Sequence, residues 1–462
     1  MYRFYVTILK FLPESKFLQG FTMLLALMLL PARTAFSQSF VKIDSATYAQ
    51  YLAGDWSTLV HQGKQAINQG VDYYYLRMRM GIAFYEMKNY RAAIKHFKKA
   101  LEFNREDPVA QEYLYYSFLY SGQVGRAGVY RDSFNERLSE KLPPQKFRFA
   151  EAISIEYLFS TVQNDNIVEQ AETYFSGLTS GYQSMTRQFH NASFSLLHRI
   201  RPGITLSHAY TYLNMSSFMY YHDGLDVTTV DGQKTGQHQY YLSPSFTSAG
   251  GFTLSPSVHF LGIGYQVIGS GGNGFGPGSQ VSLIDQRTNA FVGGIALSQA
   301  AGPMNITLGG NYSNLNDAKQ VLVRGGLTWF PLGNLDLYLG AYLNTQAGIT
   351  GNTTTYEFIP EYLLGAGIAS RIWIEVSGSH GDMTNYLEGN GYIVYNGLDG
   401  MKHKISTNLV YPITEKGSKI YLGARWIQYQ SNFIPLDGGT DQDINPLTYN
   451  GLSMLGGFSW VF

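Results

Sequence analysis

The stretch of this chain closest to a catalytic turn is Ser377-Gly378-Ser379-His380-Gly381. A nucleophile elbow needs the order G-x-S-x-G between a strand and a helix, so that a strained turn presents the hydroxyl. Here the order differs and no helical pattern follows, so hydrolase chemistry has no frame. Gly271 to Gly278 (GGNGFGPG) is glycine-rich enough to cradle a phosphate, but it sits between two strand patterns and opens no helix. It reads as a flexible outer loop. Asp437, Asp441 and Asp443 could hold calcium together with loop carbonyls, although the Gly and Glu of an EF-hand loop are missing. The ten histidines show no ligand spacing, and the absence of cysteine excludes disulfides and thiolate metal sites. The expectation is a protein that is not an enzyme and carries no metal or cofactor.

Other polar side chains gain meaning from the strands that must carry them. From Arg148 onward the pattern is alternation. Leu335, Leu337, Leu339, Ala341 and Leu343 point one way, and Asp336, Tyr338, Gly340, Tyr342 and Asn344 the other. Ile306, Leu308 and Tyr312 likewise oppose Asn305, Thr307 and Asn311. Apolar outward and polar inward is what a lipid-embedded, water-lined barrel requires. Tight turns fall at Arg201-Pro202-Gly203, Ala249-Gly250-Gly251, Ala301-Gly302-Pro303, Pro331-Leu332-Gly333, Ser370-Arg371 and Thr414 to Gly417. Longer connections fall near 161–187, 221–236, 268–284, 314–319, 346–353, 382–401 and 431–449. Six turns join twelve strands; one strand before and one after them bring the total to about fourteen. Alternation puts Arg324, Asp336, Glu375 and Arg425 in the lumen with Tyr338, Tyr342 and Tyr421, and adds Glu156, Glu357, Glu361 and Lys404. These groups either line a route for a polar polymer or pair across the lumen; pairing is the expectation for most of them.

The closing strand is the clearest of all. Leu452, Met454, Gly456, Phe458, Trp460 and Phe462 share one face, and an apolar edge of this kind must find a partner. The first strand of the same sheet would close the barrel. The aromatic ending Phe458, Trp460, Phe462 resembles the last strand of bacterial outer-membrane barrels, which implies recognition by the barrel insertion machinery.

Composition changes ahead of the strands. Of 50 glycines, 42 follow Phe147; charged residues number 26 in the 108 positions from Phe40 to Phe147 but 35 in the 315 that follow. Two compositions indicate two environments. At the start, Arg3, Lys10 and Lys16 precede the apolar run Phe21 to Leu30 and then Ala35-Phe36-Ser37, the layout of a signal peptide ending near residue 37. Ten apolar residues are about half of what a bilayer-spanning helix needs.

Between leader and barrel, Gly81, Phe84, Ala93, Phe97 and Ala100 mark a helical hairpin. Small residues let two helices approach and the aromatics fill the gap. Ala66 and Ala127 repeat this at an interval of 34, giving about two and a half units. The spacing resembles the tetratricopeptide repeat. Arg77 departs from it, standing where that family favours a large apolar residue. Arg91, Lys95, Lys98 and Lys99 form a basic face that is either a docking surface or a solvated helix face.

The expected organisation is a signal peptide (1–37), a helical domain (38–147) and a barrel (148–462), that is, a short periplasmic tetratricopeptide solenoid followed by an antiparallel transmembrane β-barrel. This plan resembles exopolysaccharide secretion proteins, surface-lipoprotein assembly modulators and YaiO-type barrels. The resemblance implies outer-membrane lipid around the barrel and a periplasmic or inner-membrane protein partner at the repeats. It also implies a role in export or surface assembly of a polysaccharide or protein; the alternative is a non-transporting structural or adhesive scaffold. Equal numbers of acidic and basic residues, 33 each, give no reason to invoke nucleic acid.

Overall fold

The computed structural model describes residues 40–134, 136–143, 146–162, 181–222, 227–270, 281–351, 353–369, 371–415, 417–435 and 446–462. The expected leader, the glycine-rich stretch 271–278 and Asp437, Asp441 and Asp443 lie outside them. Two compact units divide between Tyr113 and Leu114.

In the first unit, helix α1 (40–53) is followed by α2 (Trp56–Asn68), α3 (Tyr74–Glu86) and α4 (Tyr90–Phe103), and α5 (Pro108–Tyr120) begins here. Short polar side chains start the helices: Asp55, Asn89 and Asp107 accept from the backbone N–H of Thr58, Ala92 and Ala110. Ala66, Ala93 and Ala100 are fully buried, as their spacing requires. Gly81 has no room for a side chain, because a Cβ there would sit 2.6 Å from the Phe97 ring. The helix pair α3–α4 is thereby locked at close range.

Arg77 is buried inside this pair, and its charge is compensated. Its Nε and Nη2 each donate to the Asp72 carboxylate at 2.6 Å, and Nη1 lies 3.3 Å from His96 Nδ1. His96 stacks on Phe84 with ring centroids 5.2 Å apart. Burial, reinforced by the Arg77 charge, holds the imidazole neutral, with its pKa pushed down to about 3. The unfolded chain binds that proton near pH 6.5, so the stability at stake is complete above 6.5 and falls as pH drops toward 3. The helical 222-nm signal of the full-length protein should therefore melt earlier by about 2 kcal/mol at pH 5 than at pH 7.5. His96→Gln keeps an acceptor for Arg77 and should flatten the profile between pH 6.5 and 4.5; an unchanged slope would refute the assignment.

The second unit carries the end of α5, then α6 (Val124–Arg131), α7 (Glu136–Lys141) and the sheet. Its long strands are β1 (Arg148–Val162), β2 (Gly181–Arg201), β3 (Ile204–His222), β4 (Val227–Thr247), β5 (Phe252–Ser270), β6 (Val281–Ala301) and β7 (Met304–Ser313). They continue as β8 (Lys319–Trp329), β9 (Leu337–Thr350), β10 (Thr353–Ala369) and β11 (Ile372–His380). Short β12 (Tyr386–Glu388) and β13 (Ile393–Tyr395) pair only with each other; β14 (Gly400–Pro412), β15 (Lys419–Ser431), the two-residue β16 (Ile434–Pro435) and β17 (Leu447–Val461) complete the set.

Fourteen antiparallel strands run side by side, and β1 pairs with both β2 and β17, so the sheet closes on itself. The seam pairs Ile153 with Trp460 and Ile155 with Phe458, and the Phe462 amide donates to Glu151 O at 3.1 Å. Leu308, Leu343, Leu409, Leu422, Met454, Phe458, Trp460 and Phe462 are exposed on the outer surface, the lipid-facing side. Five of the six expected tight turns are present, with Gly203, Gly251, Gly302, Gly333 and Gly417 at positive φ, and Ser370 of the sixth lies outside the described residues.

Several expected long connections are instead strand. β2 begins at Gly181, β4 at Val227, and β9 and β10 meet across residues 351–352. β2, β4 and β6 have 21 residues each, against 10 in β7 and 9 in β11. The excess can be placed from the outer face. Close to the tight turns that face is aromatic and apolar, with Phe149 against His198, His208 against Tyr240, and exposed Phe194, Tyr210 and Phe260. Toward the opposite end of β2 to β6 it turns polar, with exposed Gln188, Asn214, Lys234, Asp285 and Arg287. The outer halves of β2 to β6 therefore project past the apolar belt as a tall wall. With water on the outside, a strand there shows no apolar-out signature, and for that reason it read as loop.

Candidate functional site in the barrel lumen

Segment 382–401, expected as an outer loop, is folded into the barrel. β12 and β13 form a hairpin whose turn, Gly389-Asn390-Gly391, holds three successive positive φ angles of 59, 59 and 81°. Short apolar runs on either side of a Glu-Gly-Asn-Gly turn are the signal that could have revealed it. An exposed loop has no use for Met383, Tyr386, Leu387 and Val394. All four are buried against inward Ile263, Val292, Leu322, Ile359 and Ile427. The apolar core of this unit thus lies inside the barrel, at its outer end.

Polar contacts tie the hairpin to strands around the whole wall. Asn390 O accepts from Ser257 Oγ at 2.7 Å, and Asn390 Nδ2 donates to Ser255 O at 2.9 Å. Gly391 O meets His259 Nδ1 at 2.8 Å, and the Tyr392 and Ser193 hydroxyls are 3.0 Å apart. Gln346 donates to Thr384 O at 2.6 Å, Asn316 to Asn385 at 2.7 Å and Gln237 to Asn396 at 3.1 Å. Asp399 closes the far arm by accepting from Thr186 Oγ1 at 2.8 Å and from the Tyr449 hydroxyl. Glu388 pairs with Lys404, whose head is buried, and also accepts from the Tyr395 hydroxyl at 3.2 Å. A charge pair so enclosed is tolerable only with such extra partners.

Nearer the tight turns the inner wall is lined by small hydroxyl side chains. Ser245 faces Ser255, Thr247 faces Thr253, and Ser154 donates to Ser459 at 2.9 Å. A ring of bulkier partners stands between this zone and the hairpin.

Arg324 donates to Glu361 at 2.7 Å and lies 3.8 Å from the Tyr342 ring centroid. The Tyr338 hydroxyl donates to Glu375 at 2.6 Å, and that of Tyr421 to Glu156. Arg425 lies beside the Tyr395 ring of the hairpin, 5.8 Å from its centroid. Asp336 is apart from these. It is exposed at the tight-turn rim, bonded to Asn334, so it does not frame the channel. Glu357 shares the inward face with Ile359 on β10.

On α4 the basic face is smaller than its sequence suggests. Arg91 is buried, at 4% exposure, and so drops out of any docking surface, because it starts the helix on the side packed against its neighbours. Lys95 and Lys99 are exposed, Lys98 is half-buried, and Lys99 is paired to Glu102 at 2.7 Å. The Ser377 to His380 stretch lies along β11, where His380 stacks on His403 rather than on a serine. Among the described residues no group of three or more His, Asp or Glu is disposed to hold a metal ion.

Helix α6 is fastened to the tight-turn rim. Arg126 Nε donates to Ala249 O at 2.8 Å, while Gly125 approaches Thr247 and Val129 approaches Gly203.

Residues 74–107 match the tetratricopeptide repeat family model. A search of curated proteins gives no match. Among solved structures the barrel is similar to a mutant of the TodX monoaromatic hydrocarbon channel (9% identity, TM-score 0.44, covering 73% of this chain and 95% of that one). It is also similar to a Pseudomonas aeruginosa FadL homologue (9%, 0.36, 74% and 96%) and to a bacterial polysaccharide outer-membrane secretin (8%, 0.30, 68% and 100%). The chain is thus a tetratricopeptide region followed by a fourteen-strand antiparallel barrel that resembles those of bacterial outer membranes.

Proposed function

We propose that the protein is a gated, non-enzymatic outer-membrane conduit that delivers a polysaccharide or protein to the cell surface. The observation that carries this reading is the inward hairpin. One connection, tethered at both ends to neighbouring strands, occludes a lumen whose inner-rim wall is made of small hydroxyl side chains. A gate needs this arrangement, since it can leave without unmaking the strand ladder.

In this reading the tight turns and the helical repeats face the periplasm, where the repeats dock a periplasmic or inner-membrane protein. The fastening of α6 to the tight-turn rim supports that orientation. The ion pairs of the lumen favour a second reading, a closed scaffold that moves nothing.

The chain has no cysteine, so introduced ones report cleanly. In intact cells a membrane-impermeant maleimide should label a cysteine placed at Lys234 or Asp285. One at Lys95 should stay unlabelled until the outer membrane is permeabilised; the opposite pattern reverses the topology. Cysteines at Ser257 and Asn390, joined by a short reducible linker, should stop delivery of the surface polymer or protein, and a reductant should restore it. Normal delivery with the hairpin bridged selects the scaffold.

A further inference from the structure

A cavity of about 370 Å³ opens on the inner face of the tall wall, beyond the apolar belt and beside the far arm of the hairpin. Its volume falls in the lower part of the range for small-molecule sites. We propose that it binds a neutral, polyhydroxylated ligand, a sugar unit of one or two rings, at the outer end of the lumen.

The lining selects that chemistry. Thr235, Gln237, Thr288 and Asn396 supply hydroxyl and amide groups, and Tyr265, Ile263, Met215, Met219, Val267 and Leu398 supply an apolar surface that is the larger share. Among the described residues no lysine or arginine lines the cavity, whereas Asp317 and Asp399 do. Anionic ligands are therefore repelled. Gln237 and Asn396 already bond one another, but a hydrocarbon would take water from the Thr235 and Thr288 hydroxyls and return no partner, at a cost for each. A sugar ring instead offers hydroxyls at its rim and C–H groups on its faces, which match amide and carboxylate acceptors and a tyrosine ring respectively.

Asp399 is the most pointed feature. Its side chain is buried at 7% exposure, and Oδ2 is occupied by Thr186 and Tyr449. Oδ1 is enclosed, has no hydrogen-bond partner among the described residues and is out of reach of a water-sized group in the cavity, so Asp399 acts on a ligand through its charge. Because Asn396 and Asp399 belong to the hairpin's far arm, a bound ligand touches the element that closes the lumen. Identifying the ligand as cargo rests on the conduit reading; binding itself does not.

The test uses the full chain in detergent, with saturation-transfer NMR and calorimetry. The probes are a panel of neutral disaccharides built from glucose, galactose, mannose and N-acetylglucosamine, a uronic-acid disaccharide, and an aliphatic alcohol. At least one neutral sugar should bind saturably, with transfer strongest at ring C–H protons, and the uronic acid should bind at least about tenfold more weakly. Thr235→Trp fills the cavity and should weaken the sugar at least about tenfold while heat-modifiable mobility is retained. Should that variant fail to fold, Tyr265→Ala must weaken binding and Tyr265→Phe must largely keep it. Absence of binding across the neutral panel overturns the proposal, as does preference for the alcohol or an unchanged Kd in the filled variant. The linker-bridged hairpin reports on the conduit reading separately, since a bridged protein that still delivers its cargo can bind sugar all the same.

Discussion

Replacing residues 384–397 by a short glycine-serine linker is expected to turn a silent barrel into a conducting one. That segment contains both strands of the inward hairpin and most groups that hold it to the wall. Fourteen strands enclose a lumen too wide to be filled by wall side chains alone, so its removal leaves a water-filled passage. The main hazard is that Lys404 and Arg425 lose hairpin partners, and an unpaired buried charge commonly costs about 3–5 kcal/mol. Here the same deletion admits water to both heads, which removes most of that penalty. The barrel should therefore still assemble. Planar-bilayer recordings of the purified protein should change from a flat baseline to discrete steps, and uptake of large antibiotics by cells should rise on the order of tenfold. A folded deletion variant with a flat baseline would show that the lumen is sealed by something other than this hairpin.

How much of this was legible beforehand depended on which solvent each face meets. Within the apolar belt the rule is strict, and Leu339, Leu343, Tyr338 and Tyr342 took the faces that alternation assigned them. The closing strand was equally plain, because Phe458 and Trp460 have no reason to be outward except lipid. Beyond the belt both faces of a strand may be polar, so 181–187 and 227–236 looked like loop. The hairpin was hidden differently. Tyr386, Leu387, Ile393 and Val394 form strands of three residues, too short for a period to show, and their partners are scattered over β2 to β17. Arg91 failed for the same reason on a helix: spacing along α4 gives a face, while burial depends on which neighbour covers it.

The tyrosines give the sharpest contrast between a cargo track and a packed wall. A triple Tyr338→Ala, Tyr342→Ala, Tyr421→Ala variant removes three lumen rings, and exposed rings would go with little effect on folding. These rings are not free-standing. A Cβ on Gly365 would lie 2.0 Å from the Tyr338 ring, one on Gly326 2.4 Å from Tyr342, and one on Gly457 2.2 Å from Tyr421. Each ring thus lies flat over a glycine of the neighbouring strand, covering backbone that no side chain protects. Their hydroxyls meanwhile bind Glu375, Thr328 and Glu156, leaving those groups unpaired once the rings are gone. Truncation of a packed aromatic costs about 3–5 kcal/mol, so three together should lower sharply the temperature at which the barrel loses its folded mobility on gels. The triple Tyr→Phe variant keeps the rings over their glycines and should fall between wild type and the alanine form. A triple alanine protein that melts like wild type but delivers less to the surface would instead make the rings a track for cargo.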